Sequence, residues 1–185
     1  MAEKDKIAEN MEKTVQFSEI VLAIDTYDDI FSDFDARPYS SRAISQDFLE
    51  ETERASRDKI YEELELKFII PKHQRNINQE TIIKKRLNSH FKKHRDMKKK
   101  EIKKIYGWGL FRIFAGIFLM FIATYLLFKE QKSFLINFLV VLLEPSGWFF
   151  FWTGLDKTID LSKQTLPEKK FYEKMVKSKI SFHDS

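Results

Sequence analysis

Five carboxylates fall within eleven residues: Asp25, Asp28, Asp29, Asp33 and Asp35. Oxygen-rich clusters of this kind hold hard cations such as Mg²⁺ or Ca²⁺, and Asp28, Asp33 and Asp35 are the candidate ligands. The run lacks the glycine-bearing EF-hand spacing, and the chain shows no phosphate-cradling glycine loop and no recognisable nucleophile motif. Asx-turns and helix caps draw on the same residue types, and Arg37 and Arg42 follow closely enough to neutralise some of the acids. A structural loop is therefore expected, with a metal-dependent hydrolase as the third reading. His90 and His94, four apart on a helix, can face one ion, but no HExxH pattern or neighbouring acid accompanies them. A partly buried helix face is the expectation there. With no cysteine in the chain, disulfides, thiolate metal sites and a Cys nucleophile are excluded, and no cofactor is expected.

Two more charges stand out because of where they lie. Gly107 to Phe128 and Phe134 to Leu155 are apolar runs of 22 residues each, separated by Lys129-Glu130-Gln131-Lys132-Ser133. A helix needs roughly 20 apolar residues to cross the hydrocarbon core, so the pair predicts a transmembrane helical hairpin. A charge at the bilayer centre costs about 2.5–3.5 kcal/mol on the insertion scale. Arg112 lies close enough to the inner surface to snorkel. Glu144 falls midway along the second run and precedes Pro145, which removes a helical hydrogen bond. With Gly147 adding slack, a kink or local break is expected over Glu144 to Gly147. Gly109, Gly116 and Ala123 recur every seven residues, a small-residue seam that allows close helix approach. Arg112 sits between the two glycines on that seam, so an Arg112–Glu144 pair within or between protomers is expected, with a neutral Glu144 as the alternative. Tyr106, Trp108 and Trp152 suit an aromatic belt.

The elements that must position these residues follow from periodicity. Phe17 to Asp25 alternates, with Ile20, Leu22 and Ile24 on one face, and Tyr61 to Ile70 alternates more cleanly through Leu64, Leu66, Phe68 and Ile70. Between them Thr26 to Ile44 is a long loop of the kind often tied to function. Gln46 to Asp58 reads as a helix capped by Ser45. After Pro71, Asn78 is expected to cap a long helix whose stripe is Ile83, Leu87, Phe91 and His94. That helix has no Pro or Gly before Gly107, so it can run into the first span, with Gly107 and Gly109 as the place for a bend. Pro167 suits the start of a short helix over Lys169 to Lys177, and Lys179 to Phe182 is expected to add a third strand, since two parallel strands alone are marginal.

Charge patterning supplies the topology. Eleven Lys or Arg lie between Lys84 and Lys104 against Asp96 and Glu101 only, a bias that keeps this flank cytoplasmic. Seven more Lys follow Leu155. No secretory signal is visible in Met1 to Gln16. The expectation is a multi-pass protein of the inner or plasma membrane with both termini cytoplasmic. Lys98, Lys99, Lys100, Lys103 and Lys104 are expected to meet anionic lipid head groups, each contributing about 1 kcal/mol near the surface. Nucleic acid is not expected, because no reading fold accompanies the basic run.

The stretch from Phe31 to Leu49, which contains Phe34-Asp35-Ala36-Arg37-Pro38, resembles a family of uncharacterised prokaryotic two-helix membrane proteins with an "FDxxP" loop. The likeness continues through His90-Phe91, the Lys-rich approach to Gly107, Glu144-Pro-Ser-Gly-Trp148, Trp152 and Phe171-Tyr172-Glu173. The resemblance implies a membrane protein with a cytosolic α/β module, and it brings no catalytic residues. Together these readings predict an α+β fold: a flexible terminus at 1–16, an α/β module of two or three strands and two or three helices at 17–104, a transmembrane hairpin at 105–156, and a tail at 157–185 with a short helix and terminal strand. The expected function is a noncatalytic, membrane-anchored interaction or regulatory protein, homo-oligomeric and bound to a cytosolic protein partner. The alternative is an oligomeric small channel or transporter component with Glu144 in a polar path.

Overall fold

Leu64, Leu66, Phe68 and Ile70 are each 2% exposed or less, while Glu65, Lys67 and Ile69 between them are only half-buried. That two-residue period is the signature of a strand with one face against a core. The computed structural model describes residues 18–57, 64–129, 133–163 and 165–185. The terminus at 1–16, Tyr61 to Glu63 and the centre of the interhelical connection lie outside them. The chain divides into two units, Met1–Arg95 with Phe171–Ser185, and Asp96–Lys170.

In the first unit, β1 (Ser18–Ala23), β2 (Leu64–Ile70) and β3 (Lys179–Asp184) form a three-stranded parallel sheet in the order β1-β2-β3. Ile20 pairs with Leu66, and Leu66 with Ile180, so the expected third strand is present. With this order every crossover advances the same way, and right-handed connections leave their helices on one face. Burial agrees. Phe48 from α1 (Gln46–Arg57) packs on Phe68, Phe182 stacks on Phe68 at 5.0 Å between centroids, and Ile83, Leu87 and Phe91 of α2 (Ile77–Phe128) are completely buried in the same core. Phe171 and Met175 of α4 (Thr165–Lys177) complete it. Burying each such side chain contributes about 1.5–3 kcal/mol. The other sheet face carries Glu19, Lys67 and His183, with Lys67 and Glu19 3.7 Å apart.

The cap of α2 is Asn76 rather than Asn78. Asn76 Oδ1 accepts the N–H groups of Asn78 and Gln79 at 3.1 and 3.2 Å, the reach an N-cap side chain has toward the first turn. Asn78 lies inside that turn. The Lys174 ammonium donates to the Ser56 carbonyl at 3.3 Å, closing the end of α1 where the helix dipole favours a cation.

In the second unit, α2 continues without interruption through Gly107 and Gly109, and α3 (Phe134–Lys163) returns beside it. The break expected over Glu144 to Gly147 is not found: α3 runs helically through Pro145 and on past Leu155. Proline removes one N–H, but the rest of the ladder holds, and the Ser146 hydroxyl donates to the Leu142 carbonyl at 2.7 Å.

Candidate functional site

In open parallel sheets the carboxyl ends of the strands are the usual place for a site, and the acid-rich loop starts there. Its backbone is pinned at both ends. Ser32 N–H donates to the Ala43 carbonyl and Ser45 N–H to the Ile30 carbonyl, and Phe31 and Ile44 form an antiparallel bridge. Tyr27, Ile30 and Phe31 point inward and are buried, so the loop contributes its own piece of core, as compact surface loops do.

The acids order this loop. Asp29 accepts the N–H groups of Asp25 and Thr26 at 2.8 and 3.1 Å. Asp28 accepts from the Tyr39 hydroxyl at 3.1 Å and from Arg42 at 2.5 Å. Arg42 also donates to the Ser32 carbonyl, and its own carbonyl accepts from Arg86 of α2 at 2.9 Å. Asp35 takes both nitrogens of the Arg37 fork, at 2.9 and 2.7 Å, together with the Ala43 N–H at 2.6 Å. The Arg37 guanidinium and that N–H hold the Asp35 carboxyl well below the usual range. Arg37 and Arg42 therefore neutralise Asp35 and Asp28 as the sequence indicates. Asp33 is exposed and does not join them, so Asp28, Asp33 and Asp35 do not converge on a common point. Among the described residues no group of three His, Cys, Asp or Glu is arranged to hold a metal ion. At the tip Phe34 is fully exposed.

Beside this loop lies a network that the sequence does not announce. Glu80, on the buried stripe of α2, is 5% exposed. It accepts from Arg75 at 2.9 and 3.1 Å and from the Tyr27 hydroxyl at 3.1 Å, while Arg75 also donates to Asp184 at 2.6 Å. Burial pushes the Glu80 carboxyl up, but Arg75 and Tyr27 outweigh it, and the net shift is downward. The network joins the ends of β1 and β3 to the start of α2, with Arg75 and Asp184 109 positions apart in sequence.

His90 and His94 stack at 4.1 Å with an interplanar angle of 25°, and His94 stacks in turn on Tyr172 of α4 at 5.2 Å. Near-parallel rings keep their in-plane lone pairs side by side, which does not build a chelate. Burial, followed by the charges of His94, Arg86 and Lys93, lowers the His90 pKa to about 4. His90 Nε2 and Asn88 Oδ1 are buried without a hydrogen-bond partner among the described residues.

In the second unit the small-residue seam is the contact between α2 and α3. A Cβ placed on Gly116 would lie 2.6 Å from both the Gly147 carbonyl oxygen and the Phe151 nitrogen. One placed on Gly154 would lie 2.7 Å from the Gly109 carbonyl. Gly109 thus faces Gly154, Gly116 faces Gly147, and one heptad further Ala123 and Val140 are both buried. Gly147 is a packing residue, not a point of slack. Arg112 and Glu144 flank the seam, Arg112 half-buried and Glu144 exposed. No ion pair joins them within the chain among the described residues. In this register Glu144 falls two turns, about 10.5 Å by helical rise, from the level of Arg112.

The basic residues divide by surroundings. Lys98 is half-buried and paired with Glu168, and with Glu101 at 3.2 Å, contacts that raise its pKa. Lys99, Lys100, Lys103 and Lys104 are exposed. Comparison with protein-family models, with curated proteins and with solved structures returned no match, so the meaning of these sites rests on their own geometry.

Proposed function

We propose that the chain is an integral protein of the inner or plasma membrane that anchors a noncatalytic interaction or regulatory module. The observation that carries this reading is the outward surface of the hairpin. Phe111, Phe114, Phe118, Phe121, Phe138 and Phe149 are each more than half exposed, and only 11% of the most apolar window of each long helix is buried. A core helix of a water-soluble protein hides most of its apolar face, so lipid is the solvent that this surface fits.

The sheet supports the topology. β2 precedes the hairpin and β3 follows it, yet the two pair in register, so a spanning hairpin must leave and return on one side. The eleven basic residues before the first span support a cytoplasmic side, since such a bias holds its flank inside. The module offers a partner an ordered loop bearing the bare Phe34 ring, and preorganisation of this kind lowers the entropic cost of binding. It also offers the second face of a parallel sheet, a surface that such sheets usually cover. A homo-oligomer would have to dock on these surfaces or on the outer helix faces, because the chain's own α3 fills the glycine seam.

The absence of cysteine makes the test clean. In intact cells, Ser133→Cys should react with a membrane-impermeant maleimide and Ser185→Cys should react only after lysis, with both proteins resisting alkaline extraction from membranes. Release by alkali, or labelling of position 185 in intact cells, overturns the proposal. The exposed Glu144 within an apolar surface favours one second reading, a channel or transporter built from several copies. Conductance in liposomes that Glu144→Gln abolishes would select it.

A further inference from the structure

Lys103, Lys104, Gly107, Trp108 and Phe111 line a surface groove of about 380 Å³ on α2. Their spacing of three and four places them on one helix face. Gly109 and Gly116 point into the contact with α3, so the groove lies on the side of α2 away from that contact. A Cβ on Gly107 would meet nothing within 4 Å, which leaves the groove floor open to backbone depth. Lys103 and Lys104 are exposed, and among the described residues neither has an acidic partner, unlike Lys98.

Below the groove the same face continues through Phe114 and Phe118, which are 62% and 63% exposed. From Gly107 to Phe118 the helix rises about 16 Å, close to half of a hydrocarbon core of roughly 30 Å. The face thus presents two ammonium groups, then an indole at the level where Trp favours the interface, then aromatic rings over the depth of one leaflet. That order of chemistry matches a single anionic glycerophospholipid: phosphate head, glycerol, acyl chain.

Resting on the membrane reading above, we propose that this face of α2 is a binding site for an anionic phospholipid of the cytoplasmic leaflet, with Lys103 and Lys104 holding the phosphate, Gly107 and Trp108 seating the glycerol, and Phe111, Phe114 and Phe118 lining one acyl chain. The two lysines set the preference for negative charge, and the missing Cβ at Gly107 sets the depth of the seat.

The chain has three tryptophans, Trp108, Trp148 and Trp152, so Trp148→Phe with Trp152→Phe leaves Trp108 as sole reporter in the full-length protein. In phosphatidylcholine proteoliposomes, brominated phosphatidylglycerol should quench Trp108 at a lower mole fraction than brominated phosphatidylcholine, by up to about 30-fold if each lysine contributes about 1 kcal/mol. Lys103→Gln with Lys104→Gln should remove the preference, whereas Lys157→Gln with Lys163→Gln, an equal loss of charge on α3, should keep it. Equal quenching by the two lipids, or equal loss of preference in both double variants, overturns the site while leaving membrane insertion intact. Quenching by neither lipid overturns the membrane reading on which it rests. Quenching that appears only on dilution into excess lipid identifies a second copy of the chain as the occupant and also overturns the proposal.

Discussion

Replacing Gly116 by alanine tests the seam more sharply than any larger change, because Gly107 on the same helix supplies an internal control. The new methyl carbon at position 116 would meet backbone atoms of α3 at 2.6 Å, and backbone cannot rotate away. Ordinary contact begins at 3.4 Å, so the helices must part by about 0.8 Å at that level, and a gap of 0.5–1 Å forfeits a quarter to a half of each dispersion contact it opens. Overpacking of this kind costs about 1–3 kcal/mol. The helix-propensity gain from glycine to alanine, up to about 1 kcal/mol, accompanies Gly107→Ala equally, so it cancels in the difference between the two variants. Unfolding of the purified protein in mixed micelles, titrated with a denaturing detergent and followed by tryptophan fluorescence, should therefore place Gly116→Ala below Gly107→Ala by that 1–3 kcal/mol. The clash distances further predict that Gly154→Ala behaves like Gly116→Ala. Gly147→Ala should be milder, since its nearest neighbour is the flexible Met120 side chain, and Gly109→Ala milder still. Equal stability of Gly116→Ala and Gly107→Ala would refute the seam as the hairpin contact.

His90 gives a pH prediction. Its folded pKa of about 4 lies below the ordinary 6.5, so the fold favours the neutral ring, and the associated stability is complete above pH 6.5 and lost as pH falls toward 4. Allowing for partial solvent screening, the loss is about 1–2 kcal/mol; urea midpoints of wild type and His90→Gln should converge over that interval, and parallel pH profiles would contradict it. Removing Lys179 to Ser185 deletes β3 with the buried Phe182, and the single change Phe182→Ala should cost about 3–5 kcal/mol; an unchanged melting temperature would deny the sheet its third strand. Phe34→Ser should leave the urea midpoint within about 0.5 kcal/mol, as surface changes do, while reducing copurification of a cytosolic partner, and undiminished copurification would remove Phe34 from the interaction surface.

Local period made the strands legible. Leu64 to Ile70 shows one face at every second residue, and Lys179 to Phe182 repeats that pattern in miniature. The stripe Ile83, Leu87 and Phe91 is equally plain at helical spacing. Within the loop, the nearness of Arg37 and Arg42 to the acids forecast their pairing, because those partners are at most fourteen residues apart. The Tyr27–Arg75–Glu80–Asp184 network was not legible, since its members come from three elements and only the completed sheet brings them together. Half of the glycine seam was read from Gly109, Gly116 and Ala123. The matching pair, Gly147 and Gly154, shows the same seven-residue interval, but the proximity of Pro145 drew Gly147 into a helix-breaking role. The helix runs on through Pro145 without a break, because the missing N–H removes one bond and leaves the rest of the helical ladder in place.

The position of β3 in the chain has a consequence for biosynthesis. The central strand gains its second neighbour only from β3, which follows it in the chain by more than a hundred residues, after both long helices. At 5–20 residues per second, one edge of β2 waits unpaired for on the order of ten seconds. A ribosome that stalls, or a message cut short after the second long helix, thus yields a chain whose sheet lacks its third strand. Until β3 arrives, β2 presents a row of unpaired N–H and C=O groups on which another chain can pair.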